Sequence, residues 1–126
     1  MLNFSIAAVR IRPPPPPNDP TIASVPPRFR ASRAHVTDQA TLAIETANGT
    51  KQFTFDRVFP DSESQDGVWN YVSEAVNAFT QGYNVSILAY GQSGAGKSYT
   101  MGTLDPEFQG DTADMGMFLR FAWKLA

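Results

Sequence analysis

The 126-residue sequence predicts an α/β fold with a mostly parallel central sheet. The first observation is a helical pattern, because apolar residues recur at steps of three and four from Val68 to Phe79. The second is the apolar run Val85–Tyr90, whose shortness and bounding turn residues are typical of a buried parallel strand. The third is the glycine-rich segment directly after this run, which is placed to connect that strand to a following helix.

The composition is that of a globular protein and argues against several functional classes. Hydrophobic residues make up 42% of the chain and charged residues 17%, an ordinary mixture for a folded domain. The net charge of −2 gives no reason to expect a nucleic-acid partner. The sequence contains no cysteine, so disulfides and thiolate metal sites are excluded. No apolar run is long enough to cross a bilayer, and the first residues do not resemble a signal peptide, so we expect a soluble intracellular protein.

The N-terminal part is predicted to form a strand followed by an irregular excursion. Alternation over Phe4–Arg12 indicates a strand that places Arg10 and Arg12 on one face. The five prolines Pro13–Pro17 cannot continue a ladder of hydrogen bonds and impose an extended polyproline conformation. The whole stretch 13–38 shows no sustained period, and we interpret it as a Pro-rich irregular excursion at the surface.

The next segment, Thr41–Phe59, predicts a β-hairpin. The dipeptide Asn48-Gly49 is a strong turn signal, because both residue types tolerate a positive φ. Apolar and polar residues alternate on both sides of this turn. Asp56 ends an apolar-rich strand ahead of the glycine-rich segment, and we interpret it as a structural residue.

Three helices are predicted in the second half of the chain. The first carries the apolar stripe, with Ser62 and Gln65 as a capping box at its start and Gly82 as its stop signal. The second begins near Lys97, so that 85–103 comprises a strand, a glycine-rich loop and a helix start. After an acidic, loop-like stretch, the third helix begins near Gly116.

The glycine-rich segment matches the phosphate-binding motif G-x-x-x-x-G-K-[ST] in full. Glycine allows the backbone to turn tightly, so that successive N–H groups face phosphate oxygens, and the following helix adds its own N–H groups. Lysine offers a cation to the β- and γ-phosphates, and the next hydroxyl is placed to bind Mg²⁺, which prefers oxygen ligands. The eight matched residues are Gly91, Gln92, Ser93, Gly94, Ala95, Gly96, Lys97 and Ser98.

Beyond the generic motif, the chain resembles the kinesin motor domain. The segment AYGQSGAGKSYTM (Ala89–Met101) is similar to the phosphate loop of that family. Further similarities follow in the family's order: VRIRP (Val9–Pro13), FTFDRVF (Phe53–Phe59) and GMFLR (Gly116–Arg120). Leu119 stands where the family usually has proline, which is expected to alter the start of the third helix.

The resemblance implies the N-terminal portion of a P-loop NTPase motor head, incomplete at its C-terminus. It implies ATP and Mg²⁺ as cofactors, with the phosphates held by Gly91–Ser98 and the metal by Ser98. It also implies a microtubule as the partner of the parent motor and a cytoplasmic location on the cytoskeleton. The adenine would be contacted by Arg10, Arg12, Pro13 and Tyr99.

Catalytic residues are not assigned. The resemblance leads us to expect an N-x-x-S-S-R-S-H segment and a D-x-x-G segment downstream, and neither occurs in these 126 residues. The parent family couples microtubule-stimulated ATP hydrolysis to movement, whereas the chain as given is expected to bind ATP without hydrolysing it. The alternatives are another P-loop enzyme, such as a small-molecule kinase, and a truncated non-motor product.

Overall fold

The computed structural model describes residues 5–29, 32–102 and 115–125, in which no helix is both long and apolar enough to span a membrane. The chain divides into two compact units, Met1–Ser62 and Glu63–Ala126. In the first unit the strands are β1 (Ala8–Arg10), β2 (Ala34–Val36), β3 (Thr41–Thr46), β4 (Gly49–Thr54) and β5 (Arg57–Phe59). In the second unit the helices are α1 (Gln65–Thr80), α2 (Lys97–Met101) and α3 (Met117–Leu125).

β1 and β5 form a parallel pair. Val9 lies opposite Val58 in the register, and the N–H of Ile11 extends the ladder by donating to the Phe59 carbonyl at 3.0 Å. Val58 and Phe59 are buried and belong to the hydrophobic core. The last three residues of the predicted hairpin, Arg57–Phe59, therefore form a separate strand. The predicted first strand is shorter than expected, and its first residue, Phe4, lies outside the described residues.

Asp56 fastens the start of this parallel pair. Its carboxylate Oδ2 accepts a hydrogen bond from the Ala7 N–H at 2.8 Å, and its own N–H donates to the Ala7 carbonyl at 3.0 Å. These two bonds satisfy main-chain groups just before β1 begins. Asp56 therefore has the structural role that its sequence context predicted.

The antiparallel sheet has the strand order β2-β3-β4, and β3 and β4 form the predicted hairpin. Its turn differs by one residue from the prediction, because Thr46 pairs with Gly49 and leaves Ala47 and Asn48 as the loop. Gly49 has a φ of 114°, which glycine adopts without steric cost. The glycine is thus required at the first position of β4 and not within the two-residue loop.

The Pro-rich excursion is only partly irregular. It contains 3₁₀ turns at Pro20–Ile22 and Pro27–Phe29, and it ends with β2, Ala34–Val36, paired to β3. The prediction is therefore wrong for this last part. A three-residue strand is too short to show a period, and it forms here because the free edge of β3 supplies its hydrogen bonds. Pro13–Pro17 is exposed and lies outside any strand, as predicted.

Helix α1 begins with a different cap from the one predicted. Ser64 is the N-cap, with φ −80° and ψ 166°, and its hydroxyl accepts a hydrogen bond from the Gly67 N–H at 3.1 Å. The predicted capping box of Ser62 and Gln65 is wrong, because Gln65 is the first helical residue and only 1% of its surface is exposed. Its side chain faces the protein interior, where its amide donates to the Tyr99 carbonyl of α2.

The C-terminus of α1 has the predicted glycine stop. Gly82 has a φ of 100°, and its N–H donates to the Phe79 carbonyl at 3.0 Å. The Tyr83 N–H donates to the Ala78 carbonyl at 3.2 Å. This pair of bonds is the Schellman arrangement, which satisfies the last helical carbonyls and ends the helix.

Helix α3 packs against α1. The rings of Phe79 and Phe121 are 5.5 Å apart, and Lys124 Nζ donates to Asn77 Oδ1 at 2.7 Å. Arg120 donates a hydrogen bond from Nε to the Met115 carbonyl at 2.6 Å and another from Nη1 to Asp66 Oδ1 at 2.5 Å. The Arg120 side chain is only 10% exposed, whereas the Asp66 side chain is 67% exposed, so the guanidinium is largely desolvated and the carboxylate of its ion pair stays open to water.

We expect Arg120→Met to lower the free energy of unfolding by about 2 kcal/mol, since it removes the hydrogen bonds of the guanidinium but keeps the apolar stem. Lys124→Met is the matched control and is expected to cost about 0.5 kcal/mol or less, because the side chain of Lys124 is exposed. Urea denaturation followed by circular dichroism measures both values. Equal losses in the two variants would contradict a special role for Arg120.

The predicted buried strand Val85–Tyr90 is wrong. The structure has no regular secondary structure in this segment, Leu88 is 90% exposed, and Tyr90 is fully exposed. A parallel strand is held by hydrogen bonds from strands beside it. Among the described residues all strands belong to the first unit, so the apolar run in the second unit has no ladder of its own.

Candidate nucleotide-binding site

The motif residues form one continuous loop that leads into α2. Gly94 has a φ of 80° and Gly96 a φ of 101°, conformations that side chains other than glycine rarely adopt. Gly96 is the N-cap of α2, and Lys97 is the first residue of that helix, where the sequence predicted a helix start. The two glycines therefore allow the reversal that brings the lysine back over the loop.

Lys97 spans the loop from its end to its beginning. Its Nζ donates a hydrogen bond to the carbonyl of Gly91 at 2.6 Å, and the residue is half-buried. An ammonium group has three donors, so this bond leaves capacity for phosphate oxygens at the same position. The charge of Lys97 is thus held at the mouth of the loop and not extended into solvent.

The outer part of the loop is tightly folded and open to solvent. The Ala95 N–H donates to the Gln92 carbonyl at 3.1 Å, which closes a turn, and residues 92–95 are exposed. A Cβ added at Gly91 would lie 3.0 Å from the Ala95 Cβ, so a small residue is needed where the two ends approach. This exposed turn beside a cation suits a highly charged, water-soluble ligand.

Ser98 follows Lys97 on α2 and is exposed. Its hydroxyl is an oxygen donor of the kind that Mg²⁺ binds, and Mg²⁺ usually takes few protein ligands and completes its shell with phosphate oxygens and water. Over residues 5–29, 32–102 and 115–125, no three His, Asp or Glu side chains cluster as a metal site. The donor set therefore fits a magnesium ion carried in with a nucleotide.

Gln65 contacts α2, which the sequence did not predict. Its Nε2 donates to the Tyr99 carbonyl at 2.7 Å and so joins the start of α1 to the middle of α2. The sequence assigned Gln65 to a capping box by its spacing from Ser62. A polar residue next to an apolar stripe was the only available signal.

The end of α2 meets the start of α3 at two glycines. A Cβ built on Gly102 would lie 2.7 Å from the Gly116 Cα, and one built on Gly116 would lie 2.2 Å from the Gly102 Cα. Backbone therefore lies directly on backbone at this crossing. The acidic, loop-like stretch predicted between them falls on residues 103–114, outside the described residues.

Four residues are expected around adenine, and each is described within its own unit. Arg10 is the last residue of β1, Arg12 and Pro13 follow it in the first unit, and Tyr99 lies on α2 in the second. Tyr99 is 49% exposed, which leaves surface accessible for stacking. The assignment of these residues to adenine remains a prediction.

An open cavity of about 360 Å³ lies beside the polyproline stretch of the first unit. Asp19, next to it, accepts hydrogen bonds from the hydroxyl and the N–H of Thr21, and these bonds hold the pKa of the Asp19 carboxyl below its ordinary value. The attraction of Arg12 acts in the same direction. The cavity combines a cation, hydroxyls and apolar rings, and its lining residues are Arg12, Pro13, Pro14, Pro15, Thr21 and Ser32.

A glycine-rich loop that leads into a helix with the motif lysine as its first residue is the phosphate-binding architecture of P-loop proteins. The family model of the kinesin motor domain matches residues 10–125. The chain belongs to the kinesin motor domain family. This membership decides against the alternative of an unrelated P-loop enzyme.

Similar proteins support the same family and its α/β fold. Kinesin-like protein 2 of Schizosaccharomyces pombe is 39% identical over 95 residues, covering 73% of this chain and 12% of that protein. The structure of a fast kinesin, described with implications for ATPase mechanism and interactions with microtubules, superimposes with a TM-score of 0.77 and 31% identity. The superposition covers 96% of this chain and 32% of the fast kinesin chain.

A second solved structure also supports the kinesin family assignment. Drosophila NOD, docked with bovine tubulin into a map of its nucleotide-free complex with the microtubule, gives a TM-score of 0.71 and 27% identity. That match covers 94% of this chain and 35% of the other. This chain thus spans about a third of the solved kinesins and about an eighth of the yeast relative. The predicted fold class, a kinesin-like α/β motor head, is confirmed.

Proposed function

We propose that residues Gly91–Ser98 bind the triphosphate of ATP. The observation that carries this proposal is the position of Lys97, whose ammonium lies over the mouth of the loop through its bond with the Gly91 carbonyl. A cation held in this way acts on phosphate without the entropic cost of ordering a free side chain. Membership of the kinesin motor domain family supports ATP as the nucleotide.

We propose Ser98 as the protein ligand of the accompanying Mg²⁺. When bound, the ion would neutralise charge on the phosphates. Ser98 adjoins Lys97 on α2, so one short helix would position both the cation that binds phosphate and the hydroxyl that binds metal. The role of these residues is binding, and the eight motif residues carry no proposed catalytic group.

We propose that the protein to which this chain belongs is an ATP-driven, microtubule-based motor of the cytoskeleton. The family assignment supports this proposal, as does the relation to structures described for their microtubule interaction. In this view the residues described here contribute the nucleotide-binding part. A non-motor protein is the second candidate, and it would keep the binding site but not depend on it.

Recognition of adenine is tested by comparing ATP with inorganic triphosphate. We expect Arg10→Ala and Tyr99→Ala each to weaken ATP binding about tenfold, because stacking and cation–π contacts contribute on the order of 1 kcal/mol. Binding of inorganic triphosphate should be unchanged, since it has no base. Isothermal titration calorimetry of the 126-residue chain with both ligands measures the difference.

Two matched variants control for loss of charge and of aromatic surface. Arg33→Ala removes an exposed arginine of the same unit as Arg10, and Tyr83→Ala removes an exposed tyrosine of the same unit as Tyr99. Both should bind ATP as the unmodified chain does. Equal weakening of ATP binding and inorganic triphosphate binding by the two test variants would contradict the proposed roles of Arg10 and Tyr99 in adenine binding.

A further inference from the structure

We propose that Gln65 is a positioning residue for the nucleotide site, acting on the phosphate loop through the main chain of Tyr99. The inference rests on the proposed function of the loop and adds a residue that lies outside the phosphate motif. Gln65 donates from Nε2 to the Tyr99 carbonyl at 2.7 Å. It would touch neither the nucleotide nor the metal, and its effect would pass through α2.

Because Gln65 is buried, its amide needs a hydrogen-bond partner within the protein, and the Tyr99 carbonyl is one. Only 1% of the surface of Gln65 is exposed, which makes it the one buried polar residue in the described part of the chain. A buried amide without a partner destabilises a protein, so the side chain is held where its donor reaches the carbonyl. The helix that carries it is long and well capped, so the donor has a rigid base.

Helix α2, in contrast, cannot define its own position. It has only five residues, far fewer than the roughly 12–15 that an isolated helix needs to be stable in water. Its placement therefore depends on contacts with other elements, among which the Gln65 bond holds its middle. Lys97 and Ser98 are two residues and one residue before Tyr99, so a shift of α2 displaces both of them directly.

The position of Gln65 in the helix excludes the simpler explanation of a cap. Ser64 already performs that function through its bond with the Gly67 N–H. A residue needed only for helix stability at this position could be any good helix former. An amide that reaches a carbonyl 34 positions along the chain instead links two elements, one of which carries the charged groups of the site.

The test compares Gln65→Met and Gln65→Glu with the unmodified 126-residue chain, using titration with a fluorescent ATP analogue in the presence of Mg²⁺. Methionine keeps the shape and removes the donor, and we expect about tenfold weaker binding. At neutral pH an ionised glutamate would face the Tyr99 carbonyl with an acceptor, and we expect still weaker binding. The control is Gln81→Met, the same substitution at an exposed residue just beyond α1, which should bind normally.

Acidification provides a readout that a purely structural role would not produce. A protonated carboxyl group can donate to the Tyr99 carbonyl, so Gln65→Glu should regain affinity as the pH falls, relative to the unmodified chain at each pH. Folding of every variant is checked by circular dichroism without nucleotide. If Gln65→Met does not fold, the pH series of Gln65→Glu decides the question by itself.

The outcomes are separable. Absence of binding by the unmodified chain would overturn the proposed function and, with it, this inference. If the unmodified chain binds, a folded Gln65→Met variant with affinity within twofold of it overturns the positioning role alone. The positioning role is also overturned if the affinity of Gln65→Glu, relative to that of the unmodified chain, does not change with pH. A tenfold loss in Gln65→Met, together with recovery of Gln65→Glu in acid, supports the role.

Discussion

Lys97→Ala is expected to weaken binding of MgATP by about a hundredfold or more. Hydrogen bonds to charged groups contribute roughly 1.5–3 kcal/mol each, and the ammonium would make at least one to the β/γ-phosphates beside its bond to Gly91. Alanine also removes the 2.6 Å bond to the Gly91 carbonyl, so the two ends of the loop lose their connection. Isothermal titration calorimetry of the 126-residue chain measures the loss.

Two further variants separate charge from geometry at this position. Lys97→Arg keeps the charge but replaces a compact ammonium by a wide planar group, and we expect most of the affinity to be lost. Lys51→Ala removes an exposed lysine on β4 and should leave binding unchanged. A Lys97→Ala chain that binds within threefold of the unmodified one would refute the proposed phosphate site.

Lys97→Ala also distinguishes the two functions considered for the parent protein, a motor and a non-motor protein. A motor depends on nucleotide binding, so Lys97→Ala in the parent protein should abolish its cellular role. A non-motor product that keeps the loop without using it should tolerate the change. The binding experiment and the cellular one therefore answer different questions about Lys97.

The Gly102–Gly116 crossing is expected to tolerate no side chain. Gly102→Ala should lower the free energy of unfolding by about 3 kcal/mol, since overpacking costs roughly 1–3 kcal/mol and a left-handed conformation about 1–2 kcal/mol more. Gly102 has a φ of 78°, and its added Cβ would lie 2.7 Å from backbone that cannot rotate away. Urea denaturation followed by circular dichroism measures the change.

Two other glycines divide this effect into its parts. Gly116→Ala meets backbone at 2.2 Å without a positive φ, so it tests the steric contribution alone, for which we expect about 2–3 kcal/mol. Gly82→Ala has a φ of 100° and nothing within 4 Å of the added Cβ, so it should cost only about 1–2 kcal/mol. If Gly116→Ala is as stable as the unmodified chain, the close backbone contact between Gly102 and Gly116 is contradicted.

Features encoded within a few consecutive residues were predicted from the sequence. The hairpin around Gly49, the end of α1 at Gly82 and the helix start at Lys97 agree with the structure, because each depends on a local backbone preference or on a hydrogen bond between near neighbours. The one-residue displacement of the hairpin turn is a register effect. The pairing of β3 with β4 places Gly49 at the start of β4, and the Asn48-Gly49 dipeptide does not specify this register by itself.

Features that depend on distant partners were predicted poorly. The run Val85–Tyr90 has strand composition but no neighbouring strand among the described residues of its unit, and β2 formed from a stretch with no period because β3 offered it an edge. Gln65 was assigned to a cap by its spacing from Ser62, whereas burial turned its amide toward Tyr99. In each case the outcome depended on whether a distant part of the chain supplied a hydrogen-bond partner, which the short sequence window behind the prediction does not reveal.

The sequence by itself therefore determined the phosphate motif and the kinesin family, since both are read from ordered residue types along the chain. Only the tertiary structure decided how the motif is held. The bond of Gln65 to α2 and the contact of Gly102 with Gly116 join residues 34 and 14 positions apart. Such contacts arise when packing brings backbone and buried polar groups together, because each buried donor must find an acceptor and each close crossing must exclude side chains.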